Sequence, residues 1–481
     1  MRHFFTRFWP VILLLFLTLT LSFLNFESHT WLTGWDNLHP EFNFKLDLLR
    51  GFSSVWQEYR GPGLLAGMAH AADLPRVLVL YLLNLLHLIT PSFTRYFWAF
   101  LMLILGPLGA YFLAQTTIFS KLGPSTRRLL STTAGLFYLL NLSTIQNFYT
   151  PFEGFTSFYA ALPWLLLATL NYFRHPNRKN FLILALTSLL SAPAFYVQTL
   201  FLVYVLTLLP FIFHHLLTNK FSIRSLKTIF LSLTVLIITQ AYWLFPSSYF
   251  ALTHSQITVA AAQNQVATRE MLLRNQEYGD LKNVFLLKGF SFDYVDLADN
   301  NSFALMLSPW ISHLASPAGY LGYFFLLLTL LGLIYSFFKR LPFHGPLTAV
   351  FLLSAFFLIN NNPPTQPLYA LINRLPLLTQ LFRTVFTKWS YSFSLFYSLF
   401  FAAGCFWIYN LLLKISHKLA PILLTTGTLI LLIVYTAPAF QGNLIYRNVR
   451  QPIPQDYFDL FSYMQTQDPN TRIANFPQNT F

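Results

Sequence analysis

The sequence predicts an all-α polytopic membrane protein, and three features indicate this class. Of the 481 residues, 55% are hydrophobic and only 10% are charged, whereas a soluble globular domain carries roughly 25% charged residues. Long apolar runs recur along the chain, and none of the 16 acidic residues lies inside one. This composition excludes most soluble enzyme folds. The formal charge of +14 is explained by basic segments that stay on the cytoplasmic side of the membrane, as described below. We therefore expect no nucleic-acid partner.

Candidate membrane spans follow from the apolar runs, because a spanning helix needs about 20 mostly apolar residues. Such runs occupy residues 9–26, 75–93, 96–118, 129–148, 157–173, 181–198, 200–217, 229–250, 320–338, 347–360, 390–413 and 419–436. The first run follows Arg2 and Arg7 and lacks a small-residue cleavage pattern. We therefore expect an uncleaved helix there and not a signal peptide.

The orientation follows from the charges between the runs, since short segments rich in lysine and arginine stay cytoplasmic. Acid-free basic segments alternate with outer segments, and the outer segments hold every acidic residue. Run 75–93 breaks this alternation, so we expect it to enter the outer leaflet without spanning. The pattern then predicts about eleven crossings, with the N-terminus cytoplasmic and the C-terminus extracytoplasmic.

The domain organisation predicted from this topology has two parts. Residues 1–436 form a transmembrane domain with long outer segments at 27–74, 251–319 and 361–389. Residues 437–481 form an extracytoplasmic tail, which we expect to begin a further, strand-rich domain. Long loops of this kind are usually functional or disordered, and their aromatic content argues against disorder.

A first group of candidate site residues lies in the stretch 34–42, just beyond the first membrane helix. Asp36 and Glu41 lie there near the outer membrane surface, together with Trp35 and His39. A carboxylate in that place can take the proton from a sugar hydroxyl as the hydroxyl attacks an anomeric carbon. We predict Asp36 and Glu41 as catalytic, and Trp35 and His39 as substrate-binding.

An amphipathic helix is predicted directly after this stretch, because apolar residues recur there at spacings of three and four. These apolar residues are Phe42, Leu46, Leu49, Phe52, Trp56 and Tyr59. The prediction leaves a second role open for Asp36, since an aspartate before a helix often caps it.

A second group lies in the outer segment 361–389, which has three basic residues and no acid. Arg374, Arg383 and Lys388 could hold the phosphate of a lipid-linked donor by charge-assisted hydrogen bonds. The same residues could instead pair with anionic phospholipid headgroups. A divalent cation is a further candidate, because Asp293, Asp296 and Asp299 supply oxygen ligands. That stretch lacks a glycine at the expected turn and a closing glutamate, which favours a solvated loop.

These residues resemble the GT-C class of integral-membrane glycosyltransferases, and within it the membrane part of the alpha-(1→3)-arabinofuranosyltransferase family. The stretches that carry the resemblance are WDNL at 35–38, FKLDLLR at 44–50, VWQ at 55–57, QAYWLFP at 240–246 and FRTVFTKW at 382–389. The resemblance covers the order of elements over most of the chain. It departs from the family in lacking the large C-terminal carbohydrate-binding region and a paired-acid motif, since Asn37 follows Asp36.

The resemblance implies a polyprenyl-phosphate sugar as donor and a glycan acceptor outside a bacterial-type cytoplasmic membrane. Asp36 would match the acidic residue of the family's first outer loop, and Arg383 and Lys388 its late basic residues. Two other classes stay open: a transporter or flippase of lipid-linked glycans, and a non-catalytic membrane scaffold. A transporter tends to carry ionisable groups near the bilayer midplane, whereas no acid lies in any span here.

Overall fold

The computed structural model of the chain describes residues 2–34, 37, 39–53, 56–57, 64–65, 70–256, 260, 268–297, 302–468 and 471. Most of these residues are helical. The α-helices are α1 (Arg2–Leu24), α2 (Phe44–Phe52), α3 (Leu74–Leu85), α4 (Thr94–Thr116), α5 (Pro124–Leu139), α6 (Leu142–Tyr149), α7 (Glu153–Arg174), α8 (Arg178–Leu190), α9 (Gln198–Thr218), α10 (Ile223–Thr253), α11 (Arg269–Glu277), α12 (Leu281–Phe285), α13 (Ser308–Ala315), α14 (Tyr320–Phe338), α15 (His344–Ile359), α16 (Gln366–Asn373), α17 (Pro376–Leu381), α18 (Phe386–Ile415), α19 (Ala420–Tyr435) and α20 (Gln455–Gln465).

Several of these helices have the length and apolar composition of membrane spans. Within the described residues, five such segments are Thr94–Thr116, Gln198–Thr218, Ile223–Thr253, Pro317–Phe338 and Phe386–Ile415. Three shorter apolar helices are Phe8–Leu24, His344–Ile359 and Ala420–Tyr435. The predicted class, an all-α multi-pass membrane protein, is confirmed. The number of eleven crossings and the orientation of the termini stay predictions.

Helix α3 covers the first part of the apolar run 75–93 that broke the predicted alternation. It has 12 residues, which at a rise of 1.5 Å per residue is about 18 Å. The hydrocarbon core is about 30 Å thick, so α3 is too short to cross it.

The centre of the bundle is α18, whose first two-thirds are almost entirely buried. It packs against α5, α14 and α15. The approach to α14 is close because both helices present glycine. A Cβ on Gly332 would overlap the carbonyl oxygen of Phe400, and a Cβ on Gly404 would overlap that of Leu328. Small residues allow helix backbones to approach in this way within a membrane.

The outer segments form short helices and two-stranded sheets above this bundle. The strands are β1 (Trp31–Leu32), β2 (Trp56–Gln57), β3 (Leu64–Leu65), β4 (Val295–Leu297), β5 (Phe303–Leu305) and β6 (Arg450–Gln451). Each sheet is antiparallel, and β1 pairs with β6, β2 with β3, and β4 with β5. The β1–β6 pair joins the first outer loop to the tail, although about 420 residues of chain separate the two strands.

The amphipathic helix after Asp36 is shorter than the sequence pattern predicts. Helix α2 ends at Phe52, and the inclusion of Trp56 in it is wrong because Trp56 lies in β2. Two serines follow Phe52 in the sequence, and Ser53 caps the helix by donating its backbone N–H to Leu49. The predicted end of the helix at Tyr59 lies outside the described residues.

The N-cap of α2 is Asn43, whose side chain accepts a hydrogen bond from the backbone N–H of Leu46 at 3.1 Å. The alternative that Asp36 caps this helix is therefore wrong. In the tail, the described residues include two 3-10 helices, Ala437–Gln441 and Arg447–Val449, strand β6 and helix α20. The stretch 477–481, which suggested a strand-rich domain, lies outside the described residues.

Candidate functional site

The predicted site residues of the first outer loop are only partly within the described structure. Trp35 and Asp36 lie outside the described residues, whereas His39 and Glu41 lie within them. The 3-10 helix Pro40–Phe42 carries Glu41 into the interior. The side chain of Glu41 is 1% exposed, and that of His39 is 22% exposed. The Oε1 atom of Glu41 lies 2.9 Å from Nδ1 of His39. Glu41 therefore binds and orients His39.

A buried network of ion pairs lies next to this pair and was not predicted as a site. The carboxylate of Glu153, at the start of α7, accepts a hydrogen bond from Nε of Arg95 at 2.6 Å. Its other oxygen accepts one from Nδ2 of Asn37 at 2.6 Å. Nη1 of Arg76 lies 4.0 Å from the Glu153 carboxylate. Helices α3, α4 and α7 and the first outer loop therefore meet at one carboxylate, and we call these four residues the Glu153 junction.

The charge of Glu153 is stabilised by its neighbours. Burial by itself would raise the pKa of Glu153, but the charges of Arg95 and Arg76 and the Asn37 hydrogen bond hold it below its usual range. Glu153 lies outside the predicted span 157–173, at the outer end of α7. A buried charge is tolerated only when it is paired in this way.

A second ion pair extends the network toward α2. Asp73 accepts two hydrogen bonds from the guanidinium group of Arg76, at 2.8 and 2.6 Å, and both side chains are buried. Asp47 of α2 lies close enough for its ionisation to depend on this pair. Burial, followed by the charge of Asp73, raises the pKa of Asp47 to about 6. Arg76 and Arg50 act in the opposite direction but do not cancel the effect.

The late outer segment contains short helices α16 and α17 and the start of α18. Arg374 lies exposed at the end of α16. Arg383 is partly buried, and its backbone carbonyl accepts a hydrogen bond from Asn275. Lys388 was predicted in a loop, but it lies in the first turn of α18, and the residue is only 7% exposed.

The ammonium group of Lys388 contacts neutral groups. It donates to the hydroxyl oxygens of Thr384 and Thr387, each at 3.1 Å, and lies 5.0 Å from the centre of the Phe155 ring. In the part of the chain that the structure describes, no carboxylate pairs with it. Lys388 is therefore a buried lysine that has no acidic partner among this chain's described residues, and in its charged form it suits an anionic ligand.

A row of aromatic rings leads from His70, in the first outer segment, to Lys388. His70 stacks on Tyr196 with ring centres 5.2 Å apart. Tyr196 lies 5.8 Å from Phe152, and Phe152 lies 5.0 Å from Phe155, the ring beside Lys388. The structure thus brings the end of the first outer segment and the late basic segment to opposite ends of one aromatic row.

Sequence reasoning missed the arginines and Glu153, although a signal was present. Arg76 and Arg95 lie at the start of apolar runs on the predicted outer side, where the positive-inside rule disfavours them. An arginine beside the membrane needs an acidic partner or water. Glu153 is the one acid in segment 149–156, and it was therefore the available partner within that segment.

The sequence also suggested a divalent cation as a candidate ligand. The described residues contain no group of three or more histidine, cysteine, aspartate or glutamate side chains that could hold an ion.

Comparison with known proteins gives a structural relationship. No family model and no curated protein sequence matches this chain. Among solved structures, the chain is similar to arabinofuranosyltransferase AftD from mycobacteria, with a TM-score of 0.54 and 13% identity over 95% of this chain and 30% of that one. It also matches the oligosaccharyltransferase AglB from Archaeoglobus fulgidus, with a TM-score of 0.47 and 11% identity over 97% of this chain and 59% of that one.

The AftD comparison concerns the fold, and the chain spans less than a third of that protein's length. The chain therefore has a helical fold similar to that of the matched part of AftD.

Proposed function

We propose that this protein is a membrane glycosyltransferase. It moves a sugar, such as the pentose arabinofuranose, from a polyprenyl-phosphate donor to a cell-envelope glycan on the outer face of the cytoplasmic membrane. The observation that carries the proposal is Lys388, a buried lysine with no acidic partner among the described residues. Helix α7 contacts Lys388 through Phe155 and the first outer loop through Glu153. The similarity of the fold to that of AftD supports the proposal.

The donor phosphate binds at the late outer segment in this proposal. Lys388 donates to the phosphate from the first turn of α18, with Arg383 beside it and Arg374 at the exposed edge. As the bond from the anomeric carbon to the phosphate oxygen breaks, its electron pair leaves with the phosphate. Fixed positive charge stabilises the negative charge that develops there, and this is usually the largest catalytic contribution.

The acceptor hydroxyl binds at the first outer loop. Its oxygen forms the new bond to the anomeric carbon, and its proton passes to the carboxylate of Asp36. For Glu41, also predicted as catalytic, the distance of 2.9 Å between its Oε1 atom and Nδ1 of His39 supports a role in orienting that ring. We assign Glu41 to orienting His39, and assign His39 and Trp35 to contacts with the sugars. A single displacement inverts the anomeric centre.

The experiment is transfer of labelled sugar in proteoliposomes from a panel of polyprenyl-phosphate sugars to an envelope glycan. We compare wild type with Asp36→Asn and with Glu277→Gln, an exposed acid on α11, at equal protein amounts. Loss of a general base lowers the rate about 10²–10⁴-fold, so Asp36→Asn should lose transfer while Glu277→Gln keeps it.

Two outcomes contradict the proposal. Full transfer by Asp36→Asn removes the assigned base. Absence of transfer from every donor, by wild-type protein with a cooperative melting transition, removes the enzyme itself. In that case, movement of the labelled lipid between leaflets would identify a flippase, and no movement would identify a scaffold.

A further inference from the structure

The first outer loop is held at two points, one on each side of Asp36. Before Asp36, the guanidinium group of Arg95 donates to the backbone carbonyl of Leu32. Directly after Asp36, the side-chain amide of Asn37 donates to Glu153 at 2.6 Å and to the backbone carbonyl of Pro151 at 3.2 Å. Arg95 is itself hydrogen-bonded to Glu153, so both attachments of the loop lead to the same carboxylate.

Glu153 is poorly suited to a direct chemical role. Its charge is shared with Arg95 and Arg76, and these charges keep its pKa low against the effect of burial. A carboxylate with a low pKa is a weak base, because general-base efficiency falls with basicity. The network is buried and its members bind one another. Its chemistry therefore suits the holding of segments in place.

The first turn of α7 contacts both the first outer loop and Lys388. Glu153 binds the acid-bearing loop through Asn37. Two residues later, the ring of Phe155 lies 5.0 Å from the ammonium group of Lys388. One rigid helical turn therefore touches the loop that contains the assigned base and the lysine that contacts the donor phosphate.

We propose that Glu153 is a positioning residue that, through its hydrogen bonds to Asn37 and Arg95, holds the first outer loop in place relative to Lys388. This inference rests on the proposed glycosyl transfer and adds to it the residues that fix its geometry. Misplacement of a reacting group by about 1 Å can cost about 100-fold in rate. The junction is thus required for turnover more than for donor affinity.

The test exchanges the two partners of the hydrogen bond. Asn37→Asp places two carboxylates together, and Glu153→Gln removes the charge that pairs with Arg95. The exchanged double variant, Asn37→Asp with Glu153→Gln, restores an amide donor and a carboxylate acceptor across the same gap. Direct partners in one network couple by up to about 100-fold. We expect each single variant to lower kcat with little change in the donor KM, and the double variant to regain at least about tenfold relative to Asn37→Asp.

Controls separate positioning from general structural damage. Asn448→Ala removes a comparable hydrogen bond, from Asn448 to Asp296 at 3.0 Å, and should leave kcat unchanged. Melting curves show whether each variant is folded. If Asn37→Asp does not fold, Asn37→Ala replaces it, because it removes the donor without adding a charge. The combined variant, Asn37→Ala with Glu153→Gln, should then lose less kcat than the product of the two single losses.

The inference is overturned if the single effects multiply in the double variants, or if the loss is in KM and not in kcat. Either result leaves the proposed function standing, provided that the wild-type protein transfers sugar. If the wild-type protein transfers none, the proposed function fails first and independently of Glu153.

Discussion

The Glu153 junction and the surroundings of Lys388 differ in how their buried charged groups are paired. At the Glu153 junction, arginines pair with carboxylates, and each charge has a partner from the same chain. At the start of α18, Lys388 is buried to a similar degree but binds two threonine hydroxyls and an aromatic ring. The segment 361–389 that leads to it contains no acid at all.

In the proposed function, this difference distinguishes a structural site from a ligand site. The arginines and carboxylates of the junction pair with one another, which fixes the segments that meet there. Lys388 has no acidic partner among the described residues, so an anionic ligand would stabilise its charged form. The comparison therefore predicts that mutations at the junction act on stability and geometry, and that mutation of Lys388 acts on donor binding and turnover.

The largest expected effect is loss of stability on breaking the junction. Arg95→Met leaves Glu153 buried with part of its charge uncompensated, which typically costs about 3–5 kcal/mol. We expect a large fall in the melting temperature in detergent micelles. The matched control is Arg274→Met, because the Arg274–Asp293 pair at 3.5 Å is 34% and 43% exposed, and exposed pairs contribute about 0–1 kcal/mol. Equal shifts for the two variants would contradict the buried junction.

A smaller effect, on activity, is expected from Lys388. Lys388→Met removes the charge but keeps the volume, and loss of one such stabilising group costs about 10²–10³-fold in rate. Lys282→Met, which removes an exposed lysine from α12, serves as the control. Transfer should fall for the first variant and not for the second, with both proteins melting near the wild-type temperature. A normal rate for folded Lys388→Met would move the phosphate site elsewhere.

The smallest effect is a pH-dependent gain in stability. The pKa of Asp47 is about 6 in the folded protein, above its usual value of about 3.9 in an unfolded chain. The folded state therefore holds the proton more tightly, and wild type loses stability as the pH rises from about 4 to about 6. Asp47→Asn should be more stable than wild type by about 1–2 kcal/mol at pH 7.5. The difference should disappear near pH 4.

Melting curves over this pH range test the sign as well as the size of the effect. Glu270→Gln, an exposed acid on α11, is the control and should not show the same dependence. An Asp47→Asn variant that is less stable than wild type at pH 7.5 would show that the Asp47 charge strengthens the network.

The first outer loop shows how far local pattern can lead. The helical spacing from Phe42 correctly predicts an amphipathic helix, and the helix is α2. The same spacing fails at Trp56, which lies in β2 opposite Leu65. Helical periodicity could not predict that the helix ends before Trp56, because the strand that begins there pairs with β3, which lies outside the periodic stretch.

The candidate site shows the same division. Glu41, His39, Arg383 and Lys388 are prominent in sequence because charged and polar residues are rare in so apolar a chain. Glu153 and Arg95 belong to separate segments 58 residues apart, and nothing in the local sequence of either names the other. The one sequence signal is that Arg95 lies on the predicted outer side, where the positive-inside rule disfavours arginine, so that it needs an acidic partner.

By itself, the sequence determined the membrane class and its helical character, because the burial of backbone polar groups in lipid leaves a long apolar run few alternatives to a helix. It also separated acid-free basic segments from the segments that hold every acidic residue, a distribution that predicts the orientation in the membrane. The tertiary structure decided which of those charges meet. Packing of α7 between α4 and α18 brings Glu153 to Arg95 and Phe155 to Lys388, because side-chain contact depends on helix packing and not on distance along the chain.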